Sequence, residues 1–94
     1  MAAGPFAKRI AFNRNRARML ARQAKRLHVR AARVAQFALA AKAKKWHKVA
    51  ARRMCRALTL KAMAVRHAVR ARTHRIRIAQ IKQARQAWVR QHAN

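Results

Sequence analysis

After Pro5 the chain contains neither glycine nor proline, the two residues that most often interrupt regular structure. Serine is also absent, and the remaining sequence is rich in Ala, Arg, Lys, Gln, Leu and Met, which favour helix. We therefore predict an all-α fold of two or three extended helices. Residues 1–5 are predicted to form an irregular N-terminal lead-in, and residues 6–94 a single extended helical region.

Apolar residues recur at alternating steps of four and three in the first half of the chain. The positions of this first seam are Leu20, Ala24, Leu27, Ala31, Val34, Ala38 and Ala41. Heptad spacing of this kind is typical of a helix that packs along another helix. Asn13 or Asn15 has a side chain suited to capping the start of such a helix.

The apolar pattern loses register after Ala41 and resumes at Ala51. This second seam comprises Ala51, Cys55, Leu58, Ala62, Val65, Val69, Ile76 and Ala79, and Arg72 interrupts it. The change of register is compatible with a helical hairpin that turns near residues 42–48, or with one long helix whose apolar stripe rotates. A single rod would be on the order of 130 Å long, so we favour two or three helices, with a second break at Thr73–His74.

The chain has 18 Arg and 8 Lys but no Asp or Glu, which gives a formal net charge of +26 over 94 residues. Neighbouring cations therefore repel each other with no acidic side chain to pair with, and this opposes compaction. Large apolar residues are scarce, so we expect little independent hydrophobic core and helices that become ordered against a partner. Phe12, Phe37 and Trp88 are predicted to be packing residues, and Met19, Met54 and Met63 to fill the core.

The same composition argues against catalysis and against small-molecule sites. Carboxylate pairs and a Ser-His-Asp triad cannot form without Asp, Glu and Ser, and a single glycine provides no phosphate loop. The histidines His28, His47, His67, His74 and His92 lack the i, i+3 or i, i+4 spacing of a helical zinc site. We predict no enzyme activity, no catalytic residues, no cofactor, no metal site and no small-molecule substrate.

Cys55 lies on the second seam and is interpreted as a small buried apolar residue rather than a nucleophile. The sequence contains no run of about 20 apolar residues, so we also predict no membrane insertion.

The basic residues cluster along the predicted helices and point to several sides of each. A membrane-surface helix collects its charge on one face, whereas cations on all sides suit phosphates that approach from many directions. Arginine binds phosphate through a planar fork of donors. Trp46, between lysines, is open to two interpretations, namely base stacking and packing at a helix–helix turn. The predicted RNA-binding residues are Arg14, Arg16, Arg18, Arg22, Lys25, Arg26, Arg30, Arg33, Lys44, Lys45, Trp46, Lys48, Arg52, Arg53, Arg56, Arg66, Arg70, Arg72, Arg75 and Arg77.

A small, acid-poor, helical chain resembles in type the structural ribosomal proteins that fill crevices between rRNA helices. The resemblance covers composition and no motif. It implies ribosomal RNA and neighbouring ribosomal proteins as partners, within a ribonucleoprotein. The Arg-rich, acid-free segment Ala7–Arg26 is also typical of mitochondrial targeting, so the mitochondrial matrix is favoured over the cytosol. Two alternatives remain: a DNA-condensing, histone-like or nucleoid protein, and a basic helical subunit of a large protein complex.

Overall fold

The computed structural model describes residues 4–93, which form a hairpin of two long helices, α1 (Gly4–Ala43) and α2 (His47–Gln91). The hairpin is thin, with extents of 75 × 15 × 12 Å. The predicted all-α class is confirmed, and the chain reverses inside the predicted 42–48 segment. Because α1 already includes Gly4 and Pro5, the helix begins before the predicted end of the lead-in. Residues 1–3 of that lead-in, and Asn94, lie outside the described residues.

The predicted second break at Thr73–His74 is wrong, because α2 continues through it. The Thr73 hydroxyl does not cap a new helix. It donates instead to the carbonyl of Val69 one turn earlier, at 3.1 Å. Thr59 makes the equivalent bond to the carbonyl of Cys55 at 3.0 Å. Both threonine hydroxyls thus form hydrogen bonds within their own helix, as threonine hydroxyls in helix interiors commonly do.

The turn between the helices is closed by backbone hydrogen bonds that stop α1. The N–H of Trp46 donates to the carbonyl of Ala41, and the N–H of Lys45 donates to the carbonyl of Lys42, each at 2.9 Å. This pair of bonds defines a Schellman motif, whose left-handed position is usually glycine. Here that position is Lys45, with φ of 63°. The sequence shows no turn signal because a lysine occupies the position that glycine normally marks.

The first seam faces α2, as predicted, with Leu27 and Val34 half-buried and its other residues buried. It also extends towards the N-terminus with the same three-and-four spacing. The buried residues of α1 are Ile10, Asn13, Ala17, Leu20, Ala24, Ala31, Ala38 and Ala41. Asn13 therefore lies inside the helix interface, and Asn15 is exposed within the helix. The prediction that either residue caps the helix is wrong, because α1 starts nine residues before Asn13.

The second seam is not the face of α2 that packs on α1. The buried residues of α2 are Ala57, Leu60, Ala64, Ala71, His74 and Ile81. Every residue of the second seam is exposed, Cys55 among them, so the interpretation of Cys55 as buried is wrong. The helix carries two apolar stripes of the same period. The one that packs looks more polar in the sequence because His67 and His74 lie on it.

The core between the helices is built mainly from alanine. Eight of the twelve buried apolar residues are Ala, and Ile10, Leu20, Leu60 and Ile81 are the other four. Small side chains at every seventh position let the two helices approach closely. The methionines predicted to fill this core instead lie at the surface, since Met19, Met54 and Met63 are exposed. The predicted packing residues Phe12, Phe37 and Trp88 are exposed as well. That the helices order only against a partner stays a prediction.

Candidate nucleic-acid interface

All 26 cationic side chains of the protein lie within the described residues, and none is buried. Arg16 and Arg85 are half-buried, and the others are exposed. Taking a cation out of water is costly unless an opposite charge compensates for it, and this chain has no acidic side chain to do so. The fold therefore leaves its charge free to meet an external anion.

One edge of the hairpin brings arginines of the two helices together. Arg9 of α1 and Arg77 of α2 line the same surface groove. Arg16 of α1 and Arg70 of α2, together with Arg77, lie close enough to His74 to lower its pKa. Like charges from the two helices thus lie along one edge of the hairpin, and together they create a positive potential that an anion would neutralise.

The heptad register extends this arrangement towards the turn. Arg30 of α1 and Arg56 of α2 lie two heptads beyond Arg16 and Arg70 along the same edge, with Gln23 and Met63 at the equivalent positions between them. We call this edge the basic groove, and its residues are Arg9, Arg16, Arg30, Arg56, Arg70 and Arg77. From Arg9 to Arg30 it spans roughly 30 Å at about 1.5 Å per residue. Several consecutive phosphates of one nucleic-acid strand could therefore contact it at once.

A buried polar pair fixes the helices beside the basic groove. The ring Nδ1 of His74 lies 2.8 Å from the side-chain oxygen of Asn13. The Asn13 amide nitrogen donates to the carbonyl of Arg9, also at 2.8 Å. The Asn13 oxygen must therefore accept, and the proton of the neutral ring lies on Nδ1 of His74. Burial, and then the nearby Arg77, Arg16 and Arg70, lower the pKa of His74.

A second set of arginines follows the outer face of α1. Arg18, Arg22 and Arg26 line one shallow cleft, and a neighbouring cleft continues through Arg30 and Arg33. Side chains four residues apart on a helix are displaced by about 6 Å along its axis. This α1 arginine row therefore offers evenly spaced donors on a face adjacent to the basic groove.

The turn presents an aromatic ring among lysines. Trp46 is 56% exposed, so it does not pack between the helices, which was one of its two interpretations. The Lys44 ammonium lies 5.0 Å from the centre of the Trp46 ring. The exposed ring and the surrounding cations provide the two elements that binding to single-stranded nucleic acid requires.

The hairpin brings the predicted basic residues of 14–26 alongside those of 66–77, whereas the predicted residues of 44–53 lie around the turn and at the start of α2. The Arg53 guanidinium is engaged within the protein, 5.5 Å from the centre of the Phe37 ring. Arg9 was missed because the first seam was started at Leu20, and extending the heptad back to Ile10 would have indicated it.

The remaining candidate chemistry is sparse in the described part of the chain. Residues 4–93 contain no group of three His, Cys, Asp or Glu side chains that could hold a metal ion. Neither α1 nor α2 contains a stretch apolar enough to cross a bilayer.

Comparison with family models, curated proteins and solved structures finds no match to this chain.

Proposed function

We propose that this protein is a structural RNA-binding protein, a component of the ribosome that binds rRNA phosphates and fills crevices between rRNA helices. The observation that carries this proposal is the basic groove, where Arg9 of α1 and Arg77 of α2 line one cleft with no acidic side chain to compensate them. Arg16 and Arg70 lie beside the buried His74 at the same edge. An external polyanion supplies the missing charge, and the phosphates of a nucleic acid do so at regular intervals.

The density of charge supports a polyanionic partner. Twenty-six cations over a 75 Å rod amount to roughly one charge per 3 Å of length. Double-stranded DNA carries about one negative charge per 1.7 Å of its axis. A short segment of double helix therefore carries enough charge to neutralise the protein, and binding would release the counterions of both.

The shape of the hairpin favours folded RNA over a DNA duplex. Cations lie on the basic groove, on the outer face of α1 and at the turn, so phosphates could reach the rod from several directions. Folded RNA surrounds a thin protein in this way, whereas a single duplex contacts mainly one side of it. RNA recognition would then depend on shape and on phosphate positions, because side chains cannot read the deep groove of A-form helices.

Binding of labelled RNA to the purified protein tests the groove directly. The double variant Arg16→Gln/Arg70→Gln removes two groove cations, and Lys82→Gln/Arg90→Gln removes the same charge from two exposed positions outside the groove. We expect the groove variant to weaken binding more and to reduce the slope of log K against log salt by roughly 2, about 1 per lost phosphate contact. Circular dichroism would verify that both variants stay helical.

Equal losses for the two variants would show that only total charge matters, and would contradict a groove-based site. The same titration with a DNA duplex of equal length separates the two nucleic acids, since tighter binding to the duplex would favour a DNA-condensing function. Sedimentation of the tagged protein from whole-cell and mitochondrial lysates then tests the assembly. We expect it to travel with a ribosomal subunit in the mitochondrial fraction and to be released by RNase.

A further inference from the structure

The edge of the hairpin opposite the basic groove is apolar. Two adjoining stretches of surface groove, which share Met54, run between the helices on this side. The helix α1 contributes Ala32, Ala35 and Leu39, and α2 contributes Ala51, Met54 and Leu58. We call this the apolar groove. It lies in the half of the hairpin nearest the turn.

Charge is absent from the middle of the apolar groove and present at its ends. The only Lys or Arg residues that line it are Lys42, nearer the turn, and Lys61, nearer the open end. Elsewhere this chain carries a cation about every 3.6 residues, one per helical turn. From His28 to Lys42 the groove runs for roughly 20 Å. It is therefore an uncharged strip about four helical turns long.

The large side chains of the apolar groove are left open to solvent. Leu39 is 60% exposed and Leu58 is 61% exposed. On α2 the apolar surface continues along the exposed second seam through Val65 and Val69. Contiguous apolar surface of this kind on a soluble protein usually marks a contact with another macromolecule.

The spacing of the lining residues identifies the shape of the occupant. Ala32, Ala35 and Leu39 follow steps of three and four on α1, and the lining residues of α2 follow the same steps. Two parallel walls with this period form the groove into which a third helix packs. Between His28 and Lys61 at one end and Lys42 and His47 at the other, the aliphatic side chains of the groove provide no hydrogen-bond donors for nucleotides. A protein helix therefore fits this stretch better than RNA does.

Charge identifies the chemistry of that helix. A second copy of this chain carries no Asp or Glu, so its docking would bring cations against the lysines at both ends of the groove. A helix with acidic side chains beside its apolar seam would instead pair with Lys42 and Lys61. We propose that the apolar groove binds an amphipathic, acidic helix of a partner protein and completes a three-helix bundle with it.

This proposal concerns the opposite edge from the basic groove and does not depend on RNA binding. Its test uses the full-length protein and a synthetic, fluorescein-labelled 18-residue peptide with Leu on a heptad seam and Glu beside it. Two further peptides serve as controls, one with the same residues in scrambled order and one with Lys in place of Glu. Titration at about 0.5 M salt, where the Debye length is about 4 Å, suppresses non-specific attraction to the cationic surface.

We expect the unmodified protein to bind the acidic seam peptide saturably with one-to-one stoichiometry. Leu39→Gln/Leu58→Gln should bind the same peptide at least roughly tenfold more weakly, since buried interface anchors dominate affinity. Ile76→Gln/Val89→Gln is the matched control. It replaces two side chains that are 52% and 46% exposed and lie towards the open end of α2, and it should bind the peptide like the unmodified protein. The variant Leu39→Gln/Leu58→Gln should keep its helicity and its RNA affinity.

Three results would overturn the proposal. The first is equal binding of the scrambled peptide, which would show attraction by composition alone. The second is an unchanged affinity of Leu39→Gln/Leu58→Gln for the acidic seam peptide. The third is that the protein alone forms a dimer at 0.5 M salt in analytical ultracentrifugation and that Leu39→Gln/Leu58→Gln abolishes this dimer. A second copy of the chain would then occupy the apolar groove.

Discussion

At the scale of single residues, Lys45 is the most unusual position, because it holds the left-handed conformation that ends α1. A side chain with a Cβ atom is disfavoured there by roughly 1–2 kcal/mol, whereas glycine has no such penalty. We predict that Lys45→Gly raises the free energy of unfolding by about 0.5–1 kcal/mol, because part of the gain is offset by the entropy of glycine in the unfolded chain. Urea denaturation followed by circular dichroism would measure it.

Lys44→Gly is the matched control, because it removes the same charge at a neighbouring residue whose φ is not positive. It should leave the hairpin no more stable than before. If both glycine variants stabilised the hairpin equally, relief of charge repulsion at the turn would explain the gain, and backbone conformation would not.

The buried His74 makes stability depend on pH. Its pKa in the folded protein lies below the ordinary value of 6.5 because of burial and the nearby arginines, so the unfolded chain binds the proton more readily. The stabilising contribution is fully present above pH 6.5 and is lost progressively as the pH falls below it. We predict that the urea concentration at the midpoint of unfolding decreases as the pH is lowered from 7.5 to 5.

His74→Gln should flatten that pH profile, because glutamine does not titrate. His28→Gln, which removes an exposed histidine of α1, should keep the profile of the unmodified protein. A midpoint that falls equally in His74→Gln would assign the pH dependence to another group.

At the scale of the helices, the heptad pattern could be predicted from the sequence, but its orientation on α2 could not. The first seam contains Leu20, Leu27 and Val34, so hydropathy alone identified the buried face of α1. On α2 most of the larger aliphatic residues lie on the exposed stripe, and the packed stripe combines alanines, one leucine and two isoleucines with two histidines. Which stripe packs depends on fit to the opposite helix and on the Asn13–His74 bond, and a single helix does not reveal either.

Two alanine-to-leucine substitutions distinguish the two stripes of α2. Ala64 is fully buried, whereas Ala62, two residues earlier, lies on the exposed stripe. We predict that Ala64→Leu destabilises the hairpin by about 1–3 kcal/mol through overpacking, and that Ala62→Leu changes stability by less than about 0.5 kcal/mol. Urea unfolding of the two variants measures the difference, and the opposite order would show that the second seam packs on α1 after all.

At the scale of the whole molecule, like-charge repulsion opposes a core made mainly of alanine. Cations recur about once per helical turn, a rise of about 5 Å that is shorter than the Debye length of about 10 Å at 0.1 M salt, and no acidic side chain offsets them. We predict that the isolated protein at low salt is only partly helical and gains helicity when salt or RNA is added. Circular dichroism at 222 nm during a salt titration, and then an RNA titration, would show it. A fully helical protein at low salt that unfolds cooperatively would count against this prediction.

The candidate site was predictable in composition and only partly in arrangement. The sequence predicted Arg16, Arg70 and Arg77 to be RNA-binding residues, because clustered cations without acids indicate an anionic partner, and the structure places these three at one edge. It did not predict that residues some 55 positions apart in the chain would meet along one edge, since that depends on the register of the hairpin. The apolar edge was missed for the same reason, because Leu39 and Leu58 come from different helices.

The contact between Phe6 and Trp88, whose ring centres are 6.4 Å apart, places the start of α1 beside the end of α2. The chain therefore enters and leaves the rod at the same end, and the turn is a closed loop at the other. Such a rod can slide turn-first into a narrow cavity that has already formed, and can leave by the same route, without passing a chain end through it. Its insertion thus does not require the surrounding structure to close around it, and it can be among the last components to join an assembly.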